Sequence, residues 1–329
     1  MVLIPFHARG YKSLLDSHRK RVSIEQAPVK EDQVESDATQ HCTSRVVDAI
    51  GRVMRSIPSM PGKRTFARKV IAPLVRNREH SVVVPLKATG GGQLLCHLDD
   101  WIPWNVYIHG CYAREQHCER AMLGLLQPGQ TVFDVGANVG YYTVQFARSV
   151  QSGGQVHAFE PVPGTHQTLR HNLALNQLSN VVPNAVIASA DCEEREIHIC
   201  DYSTGNCSVE VGTGPTQRIP SISIDSYCDR HGIQQIDLIK IDVEGHELQV
   251  LKGMAGLLAA GRVAHLFLEM NSDALSHAGT TNAEVAEFLQ QLGYSATSIA
   301  SGKERPWSPD RDESLVRFSH ESLGMRAAA

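Results

Sequence analysis

The sequence predicts an α/β fold built on a mostly parallel sheet with helices on both faces, carrying a β insertion and an N-terminal extension. Three observations predict it. From residue 131 onward, apolar runs of strand length alternate with runs of helix length, as parallel strands joined by helical crossovers require. The stretch Thr131-Val132-Phe133-Asp134-Val135-Gly136-Ala137-Asn138-Val139-Gly140 reads as a strand, an acid, a tight glycine loop and a helix start. Twenty residues past Gly140, a second apolar run ends on Glu160.

The 329 residues can hold one large domain with extensions, and 42% hydrophobic content suits a globular core. A net charge of −4 gives no general case for nucleic-acid or membrane binding. The eight cysteines contain no Cys-x-x-Cys pair and read as scattered thiols of a reducing compartment. No apolar run approaches a membrane span, and Val2 to Pro5 is too short for a signal-peptide core, so a cytoplasmic protein is expected.

Residues 1–44 are aperiodic, and the run from Glu25 to Gln40 has no aromatic residue, so a disordered N-terminal segment is expected. Residues 45–80 form a basic helical extension. Nine Arg or Lys between 45 and 78 face one acid, Asp48, and Val46, Val47, Ile50, Val53, Met54 and Ile57 follow helical spacing up to Pro58. That segment reads either as a basic amphipathic patch for an anionic surface or substrate, or as a docked helix with a solvated basic face. Residues 81–127 are a cap leading into the main domain: strands at 81–85 and 92–98 flank Gly90-Gly91-Gly92, and a helix covers about 114–126. His109, Cys111, His117 and Cys118 in this cap fit no zinc spacing. Trp101, Trp104, Tyr107 and Tyr112 either stack on an acceptor ring or pack the cap onto the core.

The main domain spans 128–300. Helices are expected at 139–150, 163–177, 225–232, 246–260 and 281–292, and strands at 131–135, 155–159, 181–187, 237–241, 263–268 and 294–299. The segment 191–224 breaks the alternation with two strand-like runs and Gly-rich turns, a β insertion. Residues 301–329 are a polar tail with one further strand-like run at 315–318.

In an open parallel sheet the ligand crevice lies outside the carboxyl ends of the strands. Those ends carry Asp134, Glu160, Asn184, Asp242 with Glu244, and Glu269 with Asn271. Packing does not ask for acids there, although acids also cap the helices that follow. The glycine loop has Asn138 where a dinucleotide fingerprint has its second glycine, and Asp134 ahead of the loop repels phosphate. An acid there suits a cofactor bearing an ammonium and a sulfonium, which is S-adenosylmethionine (SAM). A Walker loop is excluded because no Gly-Lys-Ser/Thr follows.

FDVGANVGYYT (133–143), HAFEPVP (157–163) and LIKIDVEGHELQVLKGM (238–254), in this order and spacing, resemble the FkbM family of SAM-dependent methyltransferases. The resemblance covers roughly residues 95–300, and IDVEGHE is its most specific part. It implies a class I methyltransferase (Rossmann-like) fold of seven strands with the seventh antiparallel at the sheet edge. It implies O-methylation of a saccharide or natural-product hydroxyl by in-line displacement. Gly136, Asn138 and Gly140 would line the methionine and ribose part of SAM, with Asp134 behind the amino group and Glu160 on the ribose hydroxyls. Asn184 and Ala185 fall at the adenine edge. Asp242 is the expected base or hydroxyl-orienting group, Glu244 its assistant and His246 a second base, while Glu247 serves chemistry or bracing. Asp242, Glu269 and Asn271 also resemble the oxygen ligands of metal-dependent catechol-type O-methyltransferases, a less favoured arrangement in which a divalent cation acidifies the acceptor.

Three rival functions make different demands on the sequence. A nicotinamide-dependent dehydrogenase needs a full Gly-x-Gly-x-x-Gly loop, and none is present. Methylation of another acceptor class, a nucleic acid or a protein, is the second; a nucleic acid has only the basic 45–78 segment behind it, so no nucleic-acid partner is expected. A non-catalytic binding module predicts a degraded cofactor loop, and this loop is intact. The acceptor, a small molecule or glycan, is set by residues 80–127 and 191–224 and is not legible in composition.

Overall fold

A computed structural model describes residues 45–75, 81–87, 90–198, 216–299 and 303–320. The expected disorder of 1–44, Arg76 and Arg78, the turns at 205–206 and 212–214, and Cys42, Cys200 and Cys207 lie outside the described residues.

Helix α1 (Arg45–Ser56) leads into three short consecutive helical pieces, Lys63–Phe66, the π-helical Ala67–Ile71 and Ala72–Val75. Strands β1 (Ser81–Pro85) and β2 (Gln93–His97) make an antiparallel pair. Helix α2 (Trp101–His109) was not expected from its aromatic-rich sequence. Asp100 caps it by accepting the Trp101 amide at 2.6 Å, Pro103 falls in the tolerant first turn, and Gly110 closes it at φ 79°. Helix α3 (Gln116–Leu125) completes the cap.

The main domain then alternates: β3 (Thr131–Val135), α4 (Tyr141–Val150), β4 (Gln155–Phe159), α5 (Pro163–Leu175) and β5 (Val181–Asn184). The insertion contributes β6 (Ile187–Ala188), β7 (Glu194–His198) and β8 (Thr216–Ile222), a small separate sheet of order β6-β8-β7. Alternation resumes with α6 (Ile224–His231), β9 (Ile236–Ile241), α7 (Glu247–Lys252), α8 (Ala255–Ala259) and β10 (Val263–Met270). Last come α9 (Ser272–His277), α10 (Asn282–Gln291), β11 (Tyr294–Ser298), β12 (Arg305–Pro306) and β13 (Glu313–His320).

The large sheet has the order β12-β11-β13-β10-β9-β3-β4-β5. Strands β5, β4, β3, β9 and β10 run parallel, and β13 runs antiparallel to both β10 and β11. Side chains alternate across it as a two-residue period dictates. Val132, Val156 and Leu238 join the core beneath α4, α5 and the cap. Phe133, Val135, Ile239 and Ile241 join the opposite core beneath α6, α7, α8 and α10. Each fully buried Phe or Ile of this kind contributes about 1.5–3 kcal/mol of transfer free energy.

Three expectations need correction. The antiparallel strand lies inside the sheet between β10 and β11, not at its edge, and a short β12 makes the sheet eight-stranded. A boundary drawn at 300 cuts β13 from its own sheet. Phe318 and Val316 are fully buried in the core, so the tail's polarity hid an alternating strand. The expected helix over 246–260 is two helices. It breaks between Lys252 and Ala255, and within that break a Cβ at Gly253 would lie 1.9 Å from the Ser189 carbonyl oxygen.

Candidate active site

The carboxyl ends of β3, β4, β9 and β10 open into one cleft of about 250 Å³. The cap supplies Trp101, Ile102, Tyr112, Arg114 and Glu115 to its wall, and the insertion supplies Ile187, Ala188 and Ile197.

On the β3–β4 side, the polar groups satisfy one another. The Gly136 and Ala137 amides each donate to the Phe159 carbonyl at 3.0 Å. The Asn138 amide donates to Glu160 Oε2 and the Val162 amide to Glu160 Oε1, both at 2.9 Å. The loop amides are therefore turned into the protein, not towards a phosphate. Asn138 stands at φ 51°, a left-handed conformation asparagine tolerates better than most residues, and its Oδ1 accepts the Val139 amide at 2.7 Å. Gly136 is irreplaceable for another reason: a Cβ there would lie 1.8 Å from the Asp242 carbonyl oxygen. The cofactor loop and the β9 end touch at that point. Burial raises the Glu160 carboxyl to about 7, against the two amide bonds that pull it down.

Gly136, Asn138 and Glu160 line the cleft; Gly140 caps α4 beside it. Asp134, Asn184 and Ala185 do not line it. Asp134 is fully buried, accepts the Thr143 hydroxyl at 2.6 Å and lies 3.9 Å from Lys240 Nζ, so it braces the loop from beneath. Burial raises its pKa while Lys240 opposes the rise. The Asn184 side chain donates back to the Ala158 and Val182 carbonyls at 3.1 and 3.0 Å. Val186, Ile187 and Ala188, the next residues along the chain, line the cleft instead.

The β9–β10 side is different. Asp242, Glu244 and Glu269 bring one oxygen each within 4.8 Å of one another, and Glu115 faces them from the cap. Glu244 is held at φ 54°, a conformation that costs a residue with a Cβ on the order of 1 kcal/mol. Burial first, then neighbouring carboxylates led by Asp242, raise Glu115 to about 7 and Glu244 to about 8. The same causes push Glu269 well above its usual range, and it shares a hydrogen bond with Asp242. Its Oε2 has no hydrogen-bond partner among the described residues. Lys240 is the cation set against these acids. Its Nζ lies 3.0 Å from Asp242 Oδ2 and 5.2 Å from the centre of the Tyr142 ring. Burial acts to lower its pKa, and Asp242, Asp134 and Glu115 overcome that and raise it.

His246 lines the cleft, buried, with Nε2 3.0 Å from Ser189 Oγ. Glu247 does not line it. Its Oε1 accepts the Val243 and Gly245 amides at 3.1 and 3.2 Å, which fixes the turn that presents Glu244. Asn271 lines the cleft, and its Oδ1 caps α9 by accepting the Ala274 amide.

Sequence reasoning missed Lys240, Glu115 and the paired tyrosines that open α4. Tyr142 donates to Glu115 at 2.7 Å, and Tyr141 donates to Glu119 while accepting the Tyr112 amide. The cap is thus hydrogen-bonded to the helix that follows the cofactor loop. A lysine inside the apolar run Ile236–Ile241 was the readable signal for the buried charge pair.

This strand order, with an antiparallel strand second to its neighbours and an acid at the end of β4 below a glycine-asparagine loop, defines a class I SAM-dependent methyltransferase. The chain belongs to the FkbM methyltransferase family: the methyltransferase FkbM domain matches residues 134–296. A hexuronic acid methyltransferase from Haloferax volcanii is 29% identical over 185 residues, 54% of this chain and 68% of its own length. The 31-O-demethyl-FK506 methyltransferase of Streptomyces tacrolimicus is 29% identical over 159 residues, 39% of this chain and 61% of its own. A SAM-dependent O-methyltransferase structure from Thermotoga maritima is 14% identical with a TM-score of 0.35, covering 63% of this chain and 64% of that one. That match is too loose to bear on the fold, which rests on the strand order. No helix among the described residues is long and apolar enough to cross a membrane.

Proposed function

We propose that this chain methylates a hydroxyl oxygen of a saccharide or secondary metabolite. The observation that carries the reading is the cluster of Asp242, Glu244 and Glu269 facing a cofactor loop across a single cleft. When bound, SAM supplies a methyl group already activated on a sulfonium sulfur. Glu160 would hold its ribose hydroxyls, Gly136 and Asn138 its flank, and Val186 to Ala188 its base. Asp134, which does not line the cleft, would act on the cofactor side through Lys240 and Thr143.

The chain's remaining task is to hold the acceptor oxygen and take one proton. Asp242 orients or deprotonates the acceptor, with Lys240 fixing one of its oxygens and Glu269 bonded to it. Glu244, raised to about 8, keeps its proton at neutral pH and assists Asp242 as a hydrogen-bond donor, and His246 stands as a second base beside Ser189. Trp101 and Arg114 stand exposed at the cap end of the cleft, an aromatic face and a guanidinium suited to a sugar ring and its oxygens. The relatives' names point the same way: one names a hexuronic acid, the other a demethylated oxygen of FK506.

A metal-assisted form of the same reaction is favoured by one observation, the three carboxylate oxygens within 4.8 Å, a donor set that a hard divalent cation takes. One assay tests both. The protein is incubated with methyl-labelled SAM and a panel of uronic acids, neutral glycans and hydroxylated metabolites, with and without EDTA. Label should pass to an oxygen of at least one acceptor. Binding of NAD without SAM, or label confined to amines, overturns the reading; a rate unchanged by EDTA removes the metal.

A further inference from the structure

Eight large apolar side chains stand exposed among the described residues, and six of them fall between residues 46 and 74: Val46, Val53, Met60, Phe66, Val70 and Leu74. Val46 and Leu74 are two-thirds exposed, at 66% and 67%. Such a concentration in one segment is what a binding face shows, whereas single exposed apolar residues are ordinary.

The segment is nonetheless docked. Val47, Gly51 and Met54 of α1 turn inward, and Lys63, Ala67, Ile71 and Val75 form the buried line of the next helical run. Beside that line, Phe66, Val70 and Leu74 form an outward one with the same four-residue step. The wide π turn over Ala67–Ile71 keeps such a step near one side of the helix. Two of the basic residues are structural: Arg55 donates to the Tyr107 carbonyl at 3.0 Å and Lys63 to the Ile57 carbonyl at 2.7 Å. Five others, Arg45, Arg52, Arg64, Arg68 and Lys69, are exposed among the apolar side chains. The one acid, Asp48, pairs with Arg52 at 3.1 Å. The sequence left two readings of this segment open, and the structure combines them: one face is docked, and the other is apolar and basic together.

The composition of the face selects its occupant. A second copy packed through a two-fold axis would set five cations against the same five, which is repulsive. The chain's own N-terminal stretch separates the two properties: the acidic run Glu25–Gln40 offers only Val29 and Val34 as large apolar side chains, and residues 1–24, which hold Val2, Leu3, Ile4, Phe6, Leu14 and Leu15, carry five Arg or Lys against one acid. An anionic bilayer surface matches both components: headgroup phosphates for Arg and Lys, and the headgroup–acyl boundary for Phe66, Val70 and Leu74. We propose that residues 45–75 dock this protein on an anionic phospholipid surface. The inference is independent of which acceptor the cleft takes.

The test is co-sedimentation of the full chain with vesicles of phosphatidylcholine and phosphatidylglycerol in a seven-to-three ratio, and with vesicles of phosphatidylcholine alone. Partition into the anionic vesicles should be about tenfold stronger and should weaken as salt is added. The triple variants Phe66→Gln/Val70→Gln/Leu74→Gln and Arg64→Gln/Arg68→Gln/Lys69→Gln should each lower it about tenfold. Both should keep the wild-type affinity for SAM, which controls for folding. Equal partition into both vesicle types, absence of binding, or wild-type binding by the apolar variant overturns the proposal. So does a dimer in light scattering that the apolar variant dissociates, since that assigns the face to a second copy.

Discussion

The two halves of the cleft bury carboxyl groups on different terms. At the β3–β4 ends, Glu160 is matched oxygen by oxygen to backbone amides, and Asn138 satisfies its own turn. At the β9–β10 ends, Glu115, Asp242, Glu244 and Glu269 line one wall, and the buried Lys240 pairs with Asp242 alone among them. The first half is complete before anything binds. The second crowds Asp242, Glu244 and Glu269 within 4.8 Å of one another, and it holds Glu244 at φ 54°. Preorganisation on one side and stored charge conflict on the other is the division expected where a cofactor is gripped and a proton is moved.

Lys240 is where the two halves meet, so removing it should have the largest effect. It pairs in register with Asp134 across β3 and β9 and contacts Asp242 beyond the strand end. Lys240→Met leaves Asp134 buried without a counter-charge, a change that costs about 3–5 kcal/mol when one partner of a buried pair is lost. Urea unfolding should show a lower midpoint at unchanged slope, and Lys240→Met/Asp134→Asn should recover much of it. A midpoint equal to wild type would show that the lysine stabilises neither acid.

Next in size is a pair of substitutions that separates gripping from proton handling. Glu160→Gln sets an amide NH₂ against one of the two backbone amides its carboxylate accepts. It should weaken SAM binding about tenfold by calorimetry, about 1.4 kcal/mol. Asp242→Asn should leave SAM affinity within about twofold and lower the turnover by about a hundredfold or more. If both variants lost SAM affinity equally, the cleft would not divide as described.

Much of this arrangement was legible in the sequence because strand ends have a chemical signature. Asp134, Glu160, Asp242 and Glu269 each close an apolar run, and the sheet order then places those ends side by side. What escaped was set by partners remote in sequence. Glu115 looks like an ordinary surface acid until Tyr142, 27 residues away, is seen to hold it. Asn184 reads as a strand-end ligand, yet its amide turns back to sheet carbonyls. The close approach of Gly253 to Ser189 is a contact that no helical periodicity reports. β13 was visible only as a short apolar run because its alternation is spread over a polar tail.

The smallest expected effect follows from the sign of the shifted carboxyls. Glu115 and Glu247 are raised to about 7 and Glu244 to about 8, chiefly by burial. A carboxyl raised on folding binds its proton more tightly in the native state, so its full contribution to stability is present below the unfolded value near 4.3. That contribution is lost as pH rises from there through the folded value, and nothing further changes above about pH 8. The cofactor-free protein should therefore melt at a lower temperature at pH 8.5 than its remaining groups alone would dictate. Glu244→Gln isolates the effect. It should match wild type near pH 4.5 and exceed it by about 2–4 °C at pH 8.5, read by scanning calorimetry. Melting curves that stay parallel between the two proteins across that range would mean Glu244 titrates as an ordinary surface acid. The contrast with the amide-satisfied side of the cleft would then rest on geometry alone.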